Sequence, residues 1–148
     1  RHFDTKVAML TAAFQRASER LTAGISDALA ESATPREALD NLVSRYVEMS
    51  FVNSDLLNLY LSEIGSVPDP LRAELRDQQR RNVEEWAQLV VQIRPDLNPV
   101  EARYLVHAAT NTVLDLGNWE RYDARPSTRR RIEAVMSAIL LGNGQNIT

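Results

Sequence analysis

The chain has 148 residues, and its 17 Lys and Arg against 20 Asp and Glu give a formal net charge of −3. This length is ordinary for one domain with a sizeable core, and the absence of cysteine excludes disulfides, thiolate metal sites and a cysteine nucleophile. A weakly acidic chain has no general attraction for DNA, and no apolar run approaches the roughly 18 residues that span a bilayer. We therefore expect one domain without a membrane segment, and a cytoplasmic location is compatible with the absence of cysteine.

A long amphipathic helix is predicted first. Apolar residues recur at spacings of three and four from Val7 to Leu29, which predicts one helix from Thr5 to about Glu31, capped by Asp4 or Thr5. Glycine inside such a helix lowers its stability by about 1 kcal/mol relative to alanine, so the glycine at position 24 permits a slight bend.

Two shorter helices follow. The segment Thr34-Pro35-Arg36-Glu37 has the form of a capping box with proline at the first helical position, and it predicts a helix that ends near residue 52. This helix carries Tyr46, which is either an ordinary core tyrosine or a cavity-lining group. Residues 53–55 then predict a break and a new cap, followed by a short, largely buried helix that contains Tyr60 and ends at Gly65.

A second long helix is predicted over residues 70–94. It stops before Pro95 because the residue preceding a proline disfavours the helical conformation. Its apolar stripe has a polar middle, since Gln78, Gln79 and Asn82 interrupt it before Trp86. This side of the helix either leaves the core for solvent or faces a space that needs hydrogen-bonding groups.

The fifth predicted helix runs to Tyr122 and has the best-defined start. Asn98 is its cap, Pro99 suits the first helical position, and Glu101 can complete a capping box. One arc of the helix is apolar and comprises Ala102, Leu105, Val106, Ala109, Val113 and Leu116. The opposite face comprises Tyr104, Ala108, Asn111, Asp115 and Asn118, with His107 at its edge. That face either meets water, or lines a cavity or a subunit contact.

A last helix, capped by Ser127, has an apolar surface wider than one core-facing band requires. Its stripe comprises Ile132, Val135, Met136, Ile139 and Leu140. We expect one side of this helix to belong to its own subunit and the other to a second copy of the chain, related by a two-fold axis. The alternative is burial wholly within one subunit. Residues 143–148 are expected to form a flexible tail.

Catalytic and metal-binding patterns are missing from the sequence. His2 and His107 are the only histidines, so a two-histidine site at helical i, i+4 spacing is absent, as are a Gly-rich phosphate loop and a paired-carboxylate motif. We expect no catalytic residues, no metal and no cofactor.

The first residues resemble the end of the helix-turn-helix domain of TetR-family transcriptional regulators. This domain typically closes as Tyr-x-x-Phe-x-x-Lys before a long linking helix, and Phe3 and Lys6 match the latter part of the motif. The helix order of long, medium, short, long, long and medium is also similar to the C-terminal domain of that family. The segments LVSRYVEMS and RPDLNPVEARYLVHAA look like those of actinobacterial members, some of which sense acyl-CoA or other lipid-derived compounds.

The resemblance implies an all-α, six-helix effector-binding and dimerisation domain over residues 7–142, with residues 1–6 as the end of the DNA-binding domain and the start of the linking helix. Lys6 would contact the DNA backbone, and DNA would be bound only through the helix-turn-helix domain expected upstream of Arg1. A small, mostly apolar effector, such as an acyl-CoA, would occupy a cavity lined by Tyr46, Tyr60, Gln78, Asn82, Trp86, His107 and Asn111. The last two helices of each subunit would form a four-helix homodimer contact, and the whole protein would act as a repressor.

Two other classes of function predict different results. A helical protein-interaction or dimerisation module without a small-molecule site predicts no cavity and no response to a ligand panel. A small helical enzyme predicts turnover that is lost when His107 or Asp115 is changed.

Overall fold

The structure is a computed structural model that describes residues 2–52, 54–121, 123 and 125–142, apart from the side chains of residues 2–4, 56, 57, 60, 61 and 64. Within these residues the fold contains six α-helices, one short 3-10 helix at Ile64–Ser66 and no strand. The α-helices are α1 (His2–Glu31), α2 (Pro35–Val52), α3 (Ser54–Glu63), α4 (Asp69–Ile93), α5 (Pro99–Trp119) and α6 (Pro126–Leu141). The predicted all-α fold is confirmed. No helix in the described residues is long and apolar enough to cross a membrane.

Two helix starts follow directly from local sequence. At α5, Oδ1 of Asn98 accepts a hydrogen bond from the backbone N–H of Glu101 at 2.8 Å, and the Glu101 carboxylate accepts one from the N–H of Asn98 at 3.0 Å. At α2, Oγ1 of Thr34 accepts from the backbone N–H of Glu37 at 3.1 Å. These bonds satisfy N–H groups that a helix leaves unpaired in its first turn.

Other helix ends differ from the prediction. α1 already begins at His2, ahead of the predicted cap. α5 ends at Trp119, before Arg121 takes a positive φ of 52°, whereas the predicted end at Tyr122 lies outside the described residues. The predicted cap at Ser127 is wrong, because Pro126 takes a place in the first turn of α6 and Arg125 is the N-cap residue.

The helix directions follow from contacts between distant residues. Phe14 of α1 packs with Leu75 of α4, and further along both helices Thr22 bonds to Asn82, so α1 and α4 run in the same direction. Short connections return the chain through α5 and then α6. Gly142, the last residue that the structure describes, consequently lies beside Arg94 at the end of α4.

The main core is built from the second half of α1 together with α2, α4, α5 and α6. The predicted apolar arc of α5 faces it, since Ala102, Val106, Ala109 and Val113 are buried, while Leu105 and Leu116 are partly buried against it. A smaller cluster of Phe14, Val67 and Leu75 lies near the start of α4. Burial of this apolar surface is the main favourable term in holding the helices together.

The inner side of α6 corrects part of the predicted subunit contact. Ile132, Met136 and Leu140 are buried in the main core of a single chain, so they cannot contact a second copy. Val135 is exposed, and Ile139 is only partly buried. Residues at i, i+4 and i+8 face one neighbour on a helix, and here that neighbour is the subunit's own core.

Candidate functional site

An open, mostly apolar cleft lies between α1, α2 and α4. Its volume is about 300 Å³, at the lower end of the range for small-molecule sites. The apolar part of its lining comprises Leu21, Gly24 and Ile25 of α1, Leu42, Tyr46, Met49 and Val52 of α2, and Trp86 of α4. Three helices that are far apart in sequence therefore supply one apolar surface.

Two aromatic rings form the junction of α2 and α4 beside the cleft. The rings of Tyr46 and Trp86 meet edge to face, with centroids 5.8 Å apart and an interplanar angle of 80°. Trp86 is buried and Tyr46 is half-buried, so both rings are held by the core on one side and line the cleft on the other. Edge-to-face pairs of this kind are favourable because the positive ring edge meets the negative ring face. The pair gives the cleft a fixed aromatic wall.

Gly24 keeps the α1 side of the cleft open. A β-carbon built on Gly24 would meet no other atom within 4 Å. A side chain at this position would therefore extend into free space along the cleft instead of clashing with the fold. The glycine that weakens α1 locally is also the place where α1 contributes least bulk to the cleft wall.

Three charged residues complete the lining, namely Arg20, Arg45 and Glu48. Arg45 is already paired: its Nη2 lies 2.6 Å from Oε2 of Glu31, and its Nη1 lies 3.9 Å from Oδ2 of Asp27. Arg20 and Glu48 have no ion-pair partner among the residues that the structure describes. The cleft thus has apolar walls and charges at its rim.

A hydrogen-bonded contact joins α1 to α4 one turn before Trp86. Nε2 of Gln78 donates to Oγ1 of Thr22 at 2.9 Å and lies 3.3 Å from Oδ1 of Asn82. Oγ1 of Thr22 lies 3.0 Å from the carbonyl oxygen of Ser18 and 3.3 Å from Oδ1 of Asn82, and its single hydrogen can serve either acceptor. The polar middle of α4 therefore faces another helix.

Apart from Tyr60, the predicted effector residues form three pairs. Tyr46 and Trp86 line the cleft, whereas Gln78 and Asn82 bond to α1 and do not line it. The side chain of Tyr60 lies outside the described residues.

His107 and Asn111 form the third pair. Both are exposed on the outer face of α5, and neither lines the cleft. The structure therefore does not bring them together with Trp86 at this cleft. The reason is that the apolar arc of α5 faces the core, which leaves the opposite face of this helix outside the subunit.

Sequence reasoning missed the contribution of α1 to this site. Arg20, Leu21 and Gly24 line the cleft, whereas the sequence pattern predicts only an apolar stripe on α1 and a slight bend at Gly24. The available signal was a small residue one turn from an arginine on an otherwise apolar face. That signal is weak by itself, because it indicates a cleft only when α2 and α4 are known to pack beside this part of α1.

The fold is that of the TetR family of transcriptional regulators. A crystal structure of a TetR-family transcriptional regulator from Bordetella parapertussis 12822 superposes with a TM-score of 0.81 at 20% sequence identity, covering 95% of this chain and 74% of that one. The family model for the tetracyclin repressor-like C-terminal domain matches residues 32–141. The chain therefore belongs to the family of tetracyclin repressor-like C-terminal domains. A search among curated proteins gave no match.

Proposed function

We propose that this chain senses a small, mostly apolar effector in the cleft between α1, α2 and α4, and thereby controls DNA binding by a repressor. The observation that carries the proposal is the cleft itself, whose aromatic wall and open Gly24 side suit an apolar group. Regulators of this family generally dimerise and bind small-molecule effectors and DNA. An acyl-CoA or another lipid-derived compound fits the apolar lining through its acyl chain.

The contact between α1 and α4 gives the cleft a route to the DNA-binding domain. Trp86 lines the cleft, and Asn82, one turn earlier on α4, bonds to Thr22 of α1. An effector that moves Trp86 changes this contact and with it the position of α1. It can do so only to the extent that it binds the two arrangements differently, and couplings of about 1–3 kcal/mol are typical.

The beginning of α1 is the part of the chain that would meet DNA. Lys6 is exposed near this end, which suits a contact with the phosphate backbone. Two recognition helices in a dimer must lie about 34 Å apart, or a multiple of it, to enter successive major grooves. A shift of α1 in each subunit alters that spacing and weakens DNA binding. This mechanism requires the protein to share a compartment with DNA, which we propose to be the cytoplasm.

The homodimer contact uses the outer faces of α5 and α6, which pack along each other. Four of the seven exposed large hydrophobic residues in the described part of the chain lie on these two helices: Val100 (46%), Tyr104 (69%), Trp119 (81%) and Val135 (41%). Exposed alanines lie between them at positions 108, 134 and 138, where a partner helix can approach closely. His107, Asn111, Val135 and Ile139 belong to this face.

A ligand panel with a cleft-filling variant tests the effector site. Thermal unfolding is measured with acyl-CoAs, fatty acids, aromatic acids and planar drugs, because a ligand at 100 times its dissociation constant stabilises the fold by about 2.7 kcal/mol. Gly24→Leu places a side chain in the cleft and should abolish the shift produced by any ligand that binds there. Ala30→Leu adds the same side chain at an exposed position of α1 outside the cleft and should leave the shift intact.

The outcomes separate the proposal from its alternative. A ligand whose shift survives in Ala30→Leu but not in Gly24→Leu supports an effector in this cleft. A shift that is unchanged in Gly24→Leu places the ligand elsewhere and overturns the proposed site. Flat results across the whole panel favour the helical interaction module without a small-molecule site.

A further inference from the structure

Arg20 stands at the rim of the cleft without an ion-pair partner in the described part of the chain. The other arginine of the lining, Arg45, differs from it because Glu31 and Asp27 already balance its charge. Arg20 is therefore the one lining arginine whose guanidinium is not already committed to a carboxylate in that part of the chain. It lies one turn before Gly24 on α1, beside the space that the missing side chain of Gly24 leaves open.

From this arrangement we infer that the effector is an amphiphilic monocarboxylate. Its apolar body lies between Leu21, Met49 and Trp86, and its carboxylate at the rim binds the Arg20 guanidinium. A guanidinium presents two parallel N–H groups that match the two oxygens of a carboxylate, which favours this head group over a neutral alcohol. Glu48, on the α2 side of the rim, and Arg20 are both exposed, so water screens the repulsion by the one and the attraction by the other alike. The preference for a carboxylate therefore depends on the direct hydrogen bonds that only the guanidinium can donate.

The size of the cleft limits the effector further. A volume of about 300 Å³ equals roughly ten water-sized groups at about 30 Å³ each. An unbranched fatty acid of about ten carbons, or an arylalkanoic acid of similar size, fills this space. The coenzyme portion of an acyl-CoA is too large for it and would have to remain outside. This inference rests on the proposed effector site and specifies its ligand class.

Three ligands of equal chain length test the inference, namely decanoate, 1-decanol and decylamine. The chain has two tryptophans, so in a Trp119→Phe background the fluorescence of Trp86 reports on the cleft alone. Decanoate should bind about threefold to tenfold more tightly than the other two, which is the order that a charge-assisted hydrogen bond provides at an exposed site. Arg20→Gln should remove this preference while leaving the weak binding of 1-decanol unchanged. Arg16→Gln, an exposed arginine one turn away on α1 that does not line the cleft, is the matched control and should keep it.

Failure of this inference can be distinguished from failure of the proposed site. If 1-decanol binds as tightly as decanoate and Gly24→Leu abolishes both, the apolar cleft stands and the role of Arg20 is overturned. If decylamine binds most tightly and Glu48→Gln weakens its binding, the cleft prefers a cationic head group and the inference of a carboxylate is overturned. If no probe changes Trp86 fluorescence while a ligand of the panel still shifts the unfolding of Ala30→Leu but not of Gly24→Leu, the inference is overturned and the proposed site stands. If Gly24→Leu binds all three probes unchanged, both are overturned.

Discussion

Gly142 and Arg94 meet where the last turn of α6 reaches the end of α4. A β-carbon built on Gly142 would lie 3.2 Å from Nη1 of Arg94, and the backbone of Gly142 has a φ of 72° and a ψ of 159°. Residues other than glycine rarely adopt this backbone conformation. Position 142 therefore requires glycine for two reasons: the backbone takes a conformation that other residues avoid, and Arg94 leaves no room for a side chain.

Alanine substitutions at two glycines should change stability in opposite directions. Gly142→Ala should lower the free energy of unfolding by about 1–3 kcal/mol, because it imposes the strained conformation and displaces Arg94. Gly24→Ala should raise it by about 0.5–1 kcal/mol, since Gly24 lies inside α1 and its β-carbon would meet nothing. Urea unfolding at one fixed protein concentration measures both. Equal effects of the same sign would contradict the assignment of the two sites.

The bond between Gln78 and Thr22 should contribute measurably to stability. Thr22→Val keeps the shape of the side chain but removes the hydroxyl, so Gln78 and buried Asn82 each lose one hydrogen bond and keep the one between them. The expected loss is about 0.5–1.5 kcal/mol in the free energy of unfolding. Thr22→Ser retains the hydroxyl and should lie closer to the wild type. A Thr22→Val protein as stable as Thr22→Ser would mean that the contact is not held by hydrogen bonds.

A charge on the outer face of α6 should separate the proposed homodimer. Val135→Glu places a carboxylate at an exposed, partly apolar position, where burial against a second copy would be strongly unfavourable. Sedimentation should then give the mass of one chain, with the helical content unchanged. Ser44→Glu adds the same charge on the exposed side of α2 and should leave the dimer intact. Dimerisation that survives Val135→Glu would contradict the proposed contact.

The buried position of Met136 predicts a different result for the neighbouring substitution. Met136→Glu should unfold the chain itself, because the carboxylate would lie in the main core without a partner. Circular dichroism therefore distinguishes this variant from Val135→Glu, whose helices should remain formed. Two adjacent residues of α6 thus test the core and the proposed subunit contact separately.

The turn between α5 and α6 should make the protein sensitive to acid. The side chain of Arg125 donates to Asp123 at 2.6 Å and its backbone N–H donates at 3.1 Å, and these bonds hold the pKa of Asp123 below the ordinary value of 3.8. A lowered carboxylate pKa stabilises the folded state at pH values above the unfolded pKa, and this contribution is lost as pH falls through the folded pKa. Asp123→Asn should therefore be less stable than the wild type near pH 7, and the difference should shrink below pH 3.8. Unfolding measured between pH 7 and strongly acidic pH checks this sign, which a constant difference would contradict.

Local sequence determined the helices and the faces they carry. The capping box at Asn98 and the side-chain cap at Thr34 set two helix starts within a few residues of chain, and the apolar arc of α5 gave the buried side of that helix in advance. Such features depend on neighbours three or four positions away, which a single sequence displays directly. The last helix was predicted less well, because Pro126 displaced the cap from Ser127.

The tertiary structure alone decided what each face meets. Gln78 and Asn82 proved to face Thr22, about sixty positions earlier, whereas the polar face with His107 and Asn111 lies outside the subunit. Periodicity shows which residues share one side of a helix, but it does not identify the helix that packs against that side. The cleft required α1, α2 and α4 to converge, so Arg20 and Gly24 gained their positions only through contacts between residues far apart in the chain.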